Sequence, residues 1–288
     1  MLTRRKFLYT GAAAAAGIAA LGLDGFAQSK HIQLRRVEIP LARLPEAFDG
    51  FTIAQLSDFH YDPEFSVSPI RKAVAMVNGL KSDSIALTGD FVTVAMFHLH
   101  ARNSIRSART AFPCAELLQP LQAASGKFAV LGNHDVASHS AIVSGALHAH
   151  GIPVLANRAV PVERGSSRIW IAGVEDALEG RPDLGAALRG IPSSETVIVL
   201  AHEPDFADEA ALNPVDLQLS GHSHGGQIWI PGIGAPWLPA LARKYPRGLN
   251  QVGRLTVYTN IGIGTIRAPI RVNCTPEVTL ITLRTRRS

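Results

Sequence analysis

Residues 128–135 read Phe-Ala-Val-Leu-Gly-Asn-His-Asp. The first four are apolar and end at a glycine, as a short buried strand does, and the three polar residues come where that strand gives way to a loop. Outward from this stretch the same arrangement recurs. A strand over Thr52–Leu56 runs into Asp58 and His60, one over Ile85–Thr88 into Asp90, one over Val197–Ala201 into His202, and one over Leu217–Leu219 into His222. Further strands are predicted over Ile169–Gly173, Leu255–Thr259 and Val278–Leu283, with helices over Ile70–Asn78, Ala141–His150 and Phe206–Leu212. Strands alternating with helices indicate an α/β domain. In such sheets ligands bind beyond the carboxyl ends of the strands. The scattered polar residues are therefore expected to converge at one edge.

Five segments hold these residues: Ser57-Asp58-Phe59-His60, Gly89-Asp90, Gly132-Asn133-His134-Asp135, Ala201-His202-Glu203-Pro204 and Gly221-His222-Ser223-His224-Gly225-Gly226. Imidazole nitrogens with carboxylate and amide oxygens suit Mn, Fe, Zn or similar ions. The lack of a thiolate among them argues against a structural zinc site. Asp-x-His and Gly-Asp are also ordinary turn sequences, and His202 by itself reads as a core histidine. Gly-Asn-His-Asp and Gly-His-Ser-His-Gly-Gly are far rarer, and their order, each after a strand, carries the argument.

This ordered set resembles the signature of the calcineurin-like metallophosphoesterases: Asp-x-His, Gly-Asp, Gly-Asn-His-Asp/Glu, a lone His and Gly-His-x-His. The resemblance implies the metallophosphatase fold, a four-layer α/β/β/α sandwich with two mixed central sheets. It implies two divalent metal ions, one held by Asp58, His60, Asp90 and His224, the other by Asp90, Asn133, His202 and His222, with Asp90 as the bridge. The implied reaction is hydrolysis of phosphodiester or pyrophosphate bonds by a hydroxide bridging the ions, with His134 assisting the leaving group. Asp135 either fixes the His134 tautomer or is an ordinary surface partner of it. The alternatives are a phosphomonoesterase and a catalytically silent metal-binding or sensing protein. Many relatives carry a second acid shortly after Gly-Asp; here the run is Gly89-Asp90-Phe91-Val92-Thr93, a departure that bears on substrate choice. Gly-Gly-Gln after the last histidine and the tail from Gly262 to Glu277 resemble a bacterial branch of exported or membrane-associated phosphodiesterases. That branch includes enzymes similar to the pyrophosphatase that cleaves UDP-diacylglucosamine.

Residues 3–9, Thr-Arg-Arg-Lys-Phe-Leu-Tyr, resemble the twin-arginine export consensus, and Gly11–Leu23 is a weakly apolar stretch shorter than a membrane span needs. Residues 1–30 are read as this signal and 31–288 as one catalytic domain, placed in the periplasm or on the outer face of the cytoplasmic membrane. The expected partners are the export machinery, a membrane surface and a small anionic phosphate ester, lipid-linked or not. The net charge of +5 over 288 residues suits an anionic substrate or surface, and equally a solvated basic face. No nucleic-acid motif accompanies it. Arg102, Arg106 and Arg109 fall on one face of a helix if residues 91–115 are helical; this segment is read as a substrate-binding lid or a solvated loop. Trp237–Leu249 mixes aromatic and basic residues, as a membrane-interface loop or a packed loop does. Cys114 and Cys274 have nothing in the sequence to bring them together.

Overall fold

In this computed structural model residues 22–94 and 101–286 are described. The twin-arginine stretch at residues 3–9, His98, His100 and the Arg102 side chain lie outside them. In chain order the strands are β1 (Gln33–Leu41), β2 (Thr52–Leu56), β3 (Ser84–Thr88), β4 (Lys127–Val130), β5 (Arg158–Arg164), β6 (Ser167–Gly173), β7 (Val197–Leu200), β8 (Leu217–Ser220), β9 (Gly248–Val252), β10 (Leu255–Thr259) and β11 (Glu277–Thr285). The helices are α1 (Val67–Leu80), α2 (Ala101–Arg109), α3 (Ala111–Leu118), α4 (Asn133–Ala149), α5 (Leu184–Ala187) and α6 (Ala207–Ala210).

Strands that are apolar throughout must be covered on both faces, and that requirement builds the layers. One sheet has the order β1-β11-β2-β3-β4 and the other β5-β6-β7-β8-β10-β9. Both are mixed: β2, β3 and β4 run parallel, as do β6, β7, β8 and β10, whereas β11–β2, β5–β6 and β9–β10 are antiparallel. The sheets share a middle layer in which Ile53, Ala86 and Ile281 of the first meet Ile171, Ile198 and Leu219 of the second. The outer face of the first sheet is covered by α1, α3 and α4 through Ile70, Cys114 and Leu147. The outer face of the second is covered by α5 and α6 through Leu184 and Ala207. The result is an α/β/β/α sandwich, the four-layer fold expected from the resemblance.

All eight predicted strands are present. Those the pattern missed, β1, β5 and β9, are edge strands, largely half-buried or exposed and interrupted by polar residues. Pro40 and Pro161 sit in two of them, where a missing N–H can face outward. The helix predicted over 141–150 begins earlier, at Asn133, and is interrupted at His139, whose backbone is extended. Residues 101–109 are helical as the arginine spacing suggested, and the helix packs on α4. Cys114 and Cys274 are both buried free thiols.

Candidate metal centre

Sheet topology brings the polar residues together. The loops after β2, β3, β4, β7 and β8 leave the same edge of the two sheets and deliver Asp58 and His60, Asp90, Asn133 and His134, His202, and His222 and His224. Turning the chain sharply at these strand ends places five of them in the left-handed backbone region: Asp58 (φ 53°), His60 (42°), Asp90 (55°), His222 (66°) and His224 (50°). A non-glycine residue held there costs of order 1–3 kcal/mol. Five such residues in one cluster mark a site whose geometry is enforced by its surroundings. Gly132 and Gly221 provide the room: a Cβ on Gly132 would collide with Asp90 and His202, and one on Gly221 with Ser57 and Asp58.

The side chains form three overlapping groups: Asp58–His60–His224, Asp90–His202–His222, and His60–Asp90–His134. Asp90 Oδ2 lies 3.4 Å from His60 Nε2 and 3.2 Å from His202 Nε2. Asp58 Oδ1 is 3.3 Å from His224 Nε2, and His60 Nε2 is 3.0 Å from His224 Nε2. Backbone contacts settle the tautomers. His202 Nδ1 donates to the Thr88 carbonyl at 2.6 Å, and His222 Nε2 donates to the Ala240 carbonyl at 2.9 Å. Each ring thus turns its other nitrogen toward the cluster. Asp58 accepts the His222 N–H on both oxygens, at 3.0 and 3.1 Å. Asn133 Oδ1 is buried without a hydrogen-bond partner. An orphaned carbonyl oxygen facing carboxylates and imidazoles is what a cation would satisfy. The donor set of oxygen and nitrogen without sulfur fits the divalent ions the sequence pointed to.

Electrostatics agree. Burial drives His60 down to about 3, His222 down to about 4 and His224 well below the ordinary histidine range, so these rings are neutral donors at neutral pH. Burial, aided by the charge of Asp90, lifts Asp58 to about 6. For His202 burial opposes protonation, but the carboxylates of Asp90 and Asp58 outweigh it and hold the ring well above its usual range. Its proton sits where a metal would. Binding a cation must therefore expel the His202 proton, and below pH 6 the Asp58 proton as well. Metal affinity is expected to rise with pH, by about tenfold per unit for each proton released, with a steeper slope below about pH 6. Titration calorimetry in buffers of different ionisation enthalpy would count the protons; an affinity that does not depend on pH would refute this.

His134 sits apart from the rest. Its Nδ1 accepts the Val94 N–H at 2.9 Å and its own N–H donates to Asp90 Oδ1 at 2.9 Å. The ring lies edge-on to His60, centroids 4.8 Å apart. The Val94 bond leaves the hydrogen on Nε2.

Two expected roles are corrected. Asp135 does not orient the His134 ring. Its fully buried carboxylate accepts N–H bonds from Phe91 (2.9 Å), Val92 (3.1 Å) and Gly132 (3.0 Å). It caps α4 and ties the Asp90 loop to the Asn133 loop. Asp135→Ala would leave three donors without this acceptor, each costing about 1–3 kcal/mol if unsatisfied; a loss of at least about 3 kcal/mol on chemical denaturation is expected, and a loss under 1 would disprove the clamp. Arg106 and Arg109 are exposed and line neither cavity beside the cluster. Ala108, on the buried face of the helix, turns them outward.

Some supporting groups gave no sequence signal. Arg271 is fully buried, and its guanidinium donates to the carbonyls of Ile261 (2.7 Å), His224 (3.2 Å) and Gly262 (3.3 Å), fastening the loop after β10 under His224. Asp205 accepts the N–H groups of Arg243, Lys244 and Tyr245, which fixes the loop carrying the Ala240 carbonyl. The Trp237–Leu249 stretch is therefore pinned, with Trp237 itself 57% exposed.

Comparison with known proteins gives the family. The profile of the family described as calcineurin-like phosphoesterase matches residues 51–226. An uncharacterized metallophosphoesterase of Bacillus subtilis, YkuE, is 33% identical, with 98% of each chain covered. The phosphodiesterase YaeI of Escherichia coli is 32% identical over 98% of this chain and all of its own. Among solved structures, TT1561 of Thermus thermophilus aligns with a TM-score of 0.48 at 15% identity, covering 74% of this chain and 90% of that one. With the strand-end loops, the Gly-Asn-His and Gly-His-Ser-His segments and full-length relatives in agreement, the chain belongs to the calcineurin-like phosphoesterase family.

Proposed function

We propose that this chain hydrolyses phosphodiester or pyrophosphate bonds at a centre for two divalent cations that share Asp90. The observation that carries this reading is Asp90 Oδ2, which lies within 3.4 Å of ring nitrogens belonging to both ligand groups. Asp58, His60, Asp90 and His224 would hold one ion; Asp90, Asn133, His202 and His222 the other. Ions held there supply Lewis acidity toward phosphate oxygens and lower the pKa of a water. The neutral Asn133 keeps the negative charge of the site small, so that an anionic ester is not repelled. His134 Nε2–H is available to donate a hydrogen bond to the departing oxygen and stabilise its developing charge. Because Asp90 Oδ1 holds the His134 backbone, this donor and the shared ligand are fixed to each other. The name of the E. coli relative favours a diester over a monoester.

The test uses protein stripped of metal and reloaded with Mn²⁺, comparing bis-p-nitrophenyl phosphate with p-nitrophenyl phosphate. Preference for the diester is expected. Preference for the monoester would make the protein a phosphomonoesterase. No turnover of either by folded, metal-loaded protein would favour a silent metal-binding role.

We also propose export by the twin-arginine route to the periplasm or the outer membrane face, on the strength of Thr3-Arg4-Arg5-Lys6-Phe7-Leu8. The double substitution Arg4→Lys and Arg5→Lys should retain the protein in the cytoplasm of a bacterial host, scored by fractionation. Undiminished export would end the idea. No helix among the described residues is long and apolar enough to cross a membrane.

A further inference from the structure

Two cavities flank the histidine cluster. The larger, about 370 Å³, reaches His60 and Thr93 and is bounded by Lys30, Tyr61 and Asp62. The smaller, about 190 Å³, reaches His222 and His224 and is walled by Trp237 and Pro239. Ile266, Arg267 and Ala268 line both, so this segment is a ridge between them.

The ridge is held from the ligand loop. Gln227 Nε2 donates to the Ile266 carbonyl at 3.1 Å, and the Ile266 N–H donates back to Gln227 Oε1. Gln227 directly follows His222–Gly226, so the dividing wall moves with two candidate ligands. Arg267 is fixed in the left-handed region (φ 66°), its guanidinium 5.3 Å from the Trp237 ring centre, in range of a cation–π contact.

The two cavities differ in chemistry. The larger one mixes polar Asp62, Ser66 and Thr93 with apolar Phe65, Pro69 and Val94. The smaller has an indole and a proline for walls. In front of it, residues 226–237 close on themselves through the Ile230–Gly234 backbone pair and carry exposed Ile228, Ile230, Ile233 and Trp237. Exposed apolar groups gathered beside a cavity mark where an apolar ligand lies.

We infer that the cavities receive the two ester arms of one phosphodiester, a more polar arm beside Asp62 and Thr93 and a hydrocarbon arm against Trp237, with Arg267 on the ridge beside the phosphate. This deepens the diester-hydrolase reading and rests on it. A monoester has a single arm and would leave one cavity without an occupant. In the reaction the oxygen of water bonds to phosphorus and the P–O bond to one arm breaks. That arm departs as an alcohol with a proton, and the other stays on a phosphomonoester.

The experiment uses the Mn²⁺-loaded full chain with methyl p-nitrophenyl phosphate and hexyl p-nitrophenyl phosphate, both kept monomeric. The ratio of kcat/KM for hexyl over methyl is expected to reach at least about tenfold in the wild type, since each methylene entering an apolar cavity adds to the preference. Trp237→Ala should bring that ratio close to one, and Trp237→Phe should keep most of it. A wild-type ratio near one, or a ratio that survives Trp237→Ala, overturns the inference while leaving diester hydrolysis standing. Failure to cleave either ester overturns both. The high exposure of Trp237 makes folded variants the expectation, and thermal midpoints verify it.

Discussion

Asp90→Asn is expected to lower metal affinity by at least about a hundredfold and to abolish turnover in the same step. Outer partners of metal ligands already contribute about 10–100-fold to affinity, and Asp90 is placed as a direct ligand shared by two groups. Asparagine has the same shape. It can still accept the His134 N–H that Asp90 Oδ1 receives at 2.9 Å, so the loop geometry survives and the charge alone is lost. Without the carboxylate, His60 and His202 face each other across a neutral amide, and two cations there would repel without a shared anion. Elemental analysis after dialysis would measure the stoichiometry, and circular dichroism would check the fold. An Asp90→Asn protein that keeps two ions per chain would sink the shared-ligand assignment.

The sequence made the buried strands legible because strands covered on both faces are apolar throughout, as in Ile85–Thr88 and Val197–Leu200. It did not show β1, β5 or β9, edge strands whose polar residues break any apolar run because one edge meets water. The ligand residues were legible for a different reason. A metal site draws on a few oxygen and nitrogen donors, so the proposed ligands Asp58, His60, Asp90, Asn133, His202, His222 and His224 stood out as a run of such residues after successive strands. What holds them was not legible. The Val94 N–H and the carbonyls of Thr88 and Ala240 are backbone groups, which any residue supplies. Asp135 was misassigned because adjacency to His134 in sequence suggested contact. Adjacent residues at a helix start point apart, and capping claimed its carboxylate. Arg271 lies 47 positions from His224 with no motif around it.

His134→Ala is expected to lower kcat by about 10²–10³-fold, the range for loss of a hydrogen-bond donor to developing charge, while the metal content stays unchanged. The geometry separates this residue from the ligands despite its membership of a His60–Asp90–His134 group. Its Nδ1 lone pair is taken by the Val94 N–H, so Nε2 carries the hydrogen and has no lone pair for an ion. A hydrogen-bond donor matters most when the leaving oxygen is a poor one and carries more developing charge. The defect should therefore be small for p-nitrophenyl esters, whose phenolate departs without help, and grow along a series of less acidic leaving alcohols. A merely structural histidine would give the same loss for every leaving group. A ligand would take metal with it when removed. The leaving-group dependence, read together with metal content on one set of preparations, tells the three roles apart. A uniform loss would remove His134 from stabilising the leaving oxygen, and loss of an ion would move it into the coordination sphere.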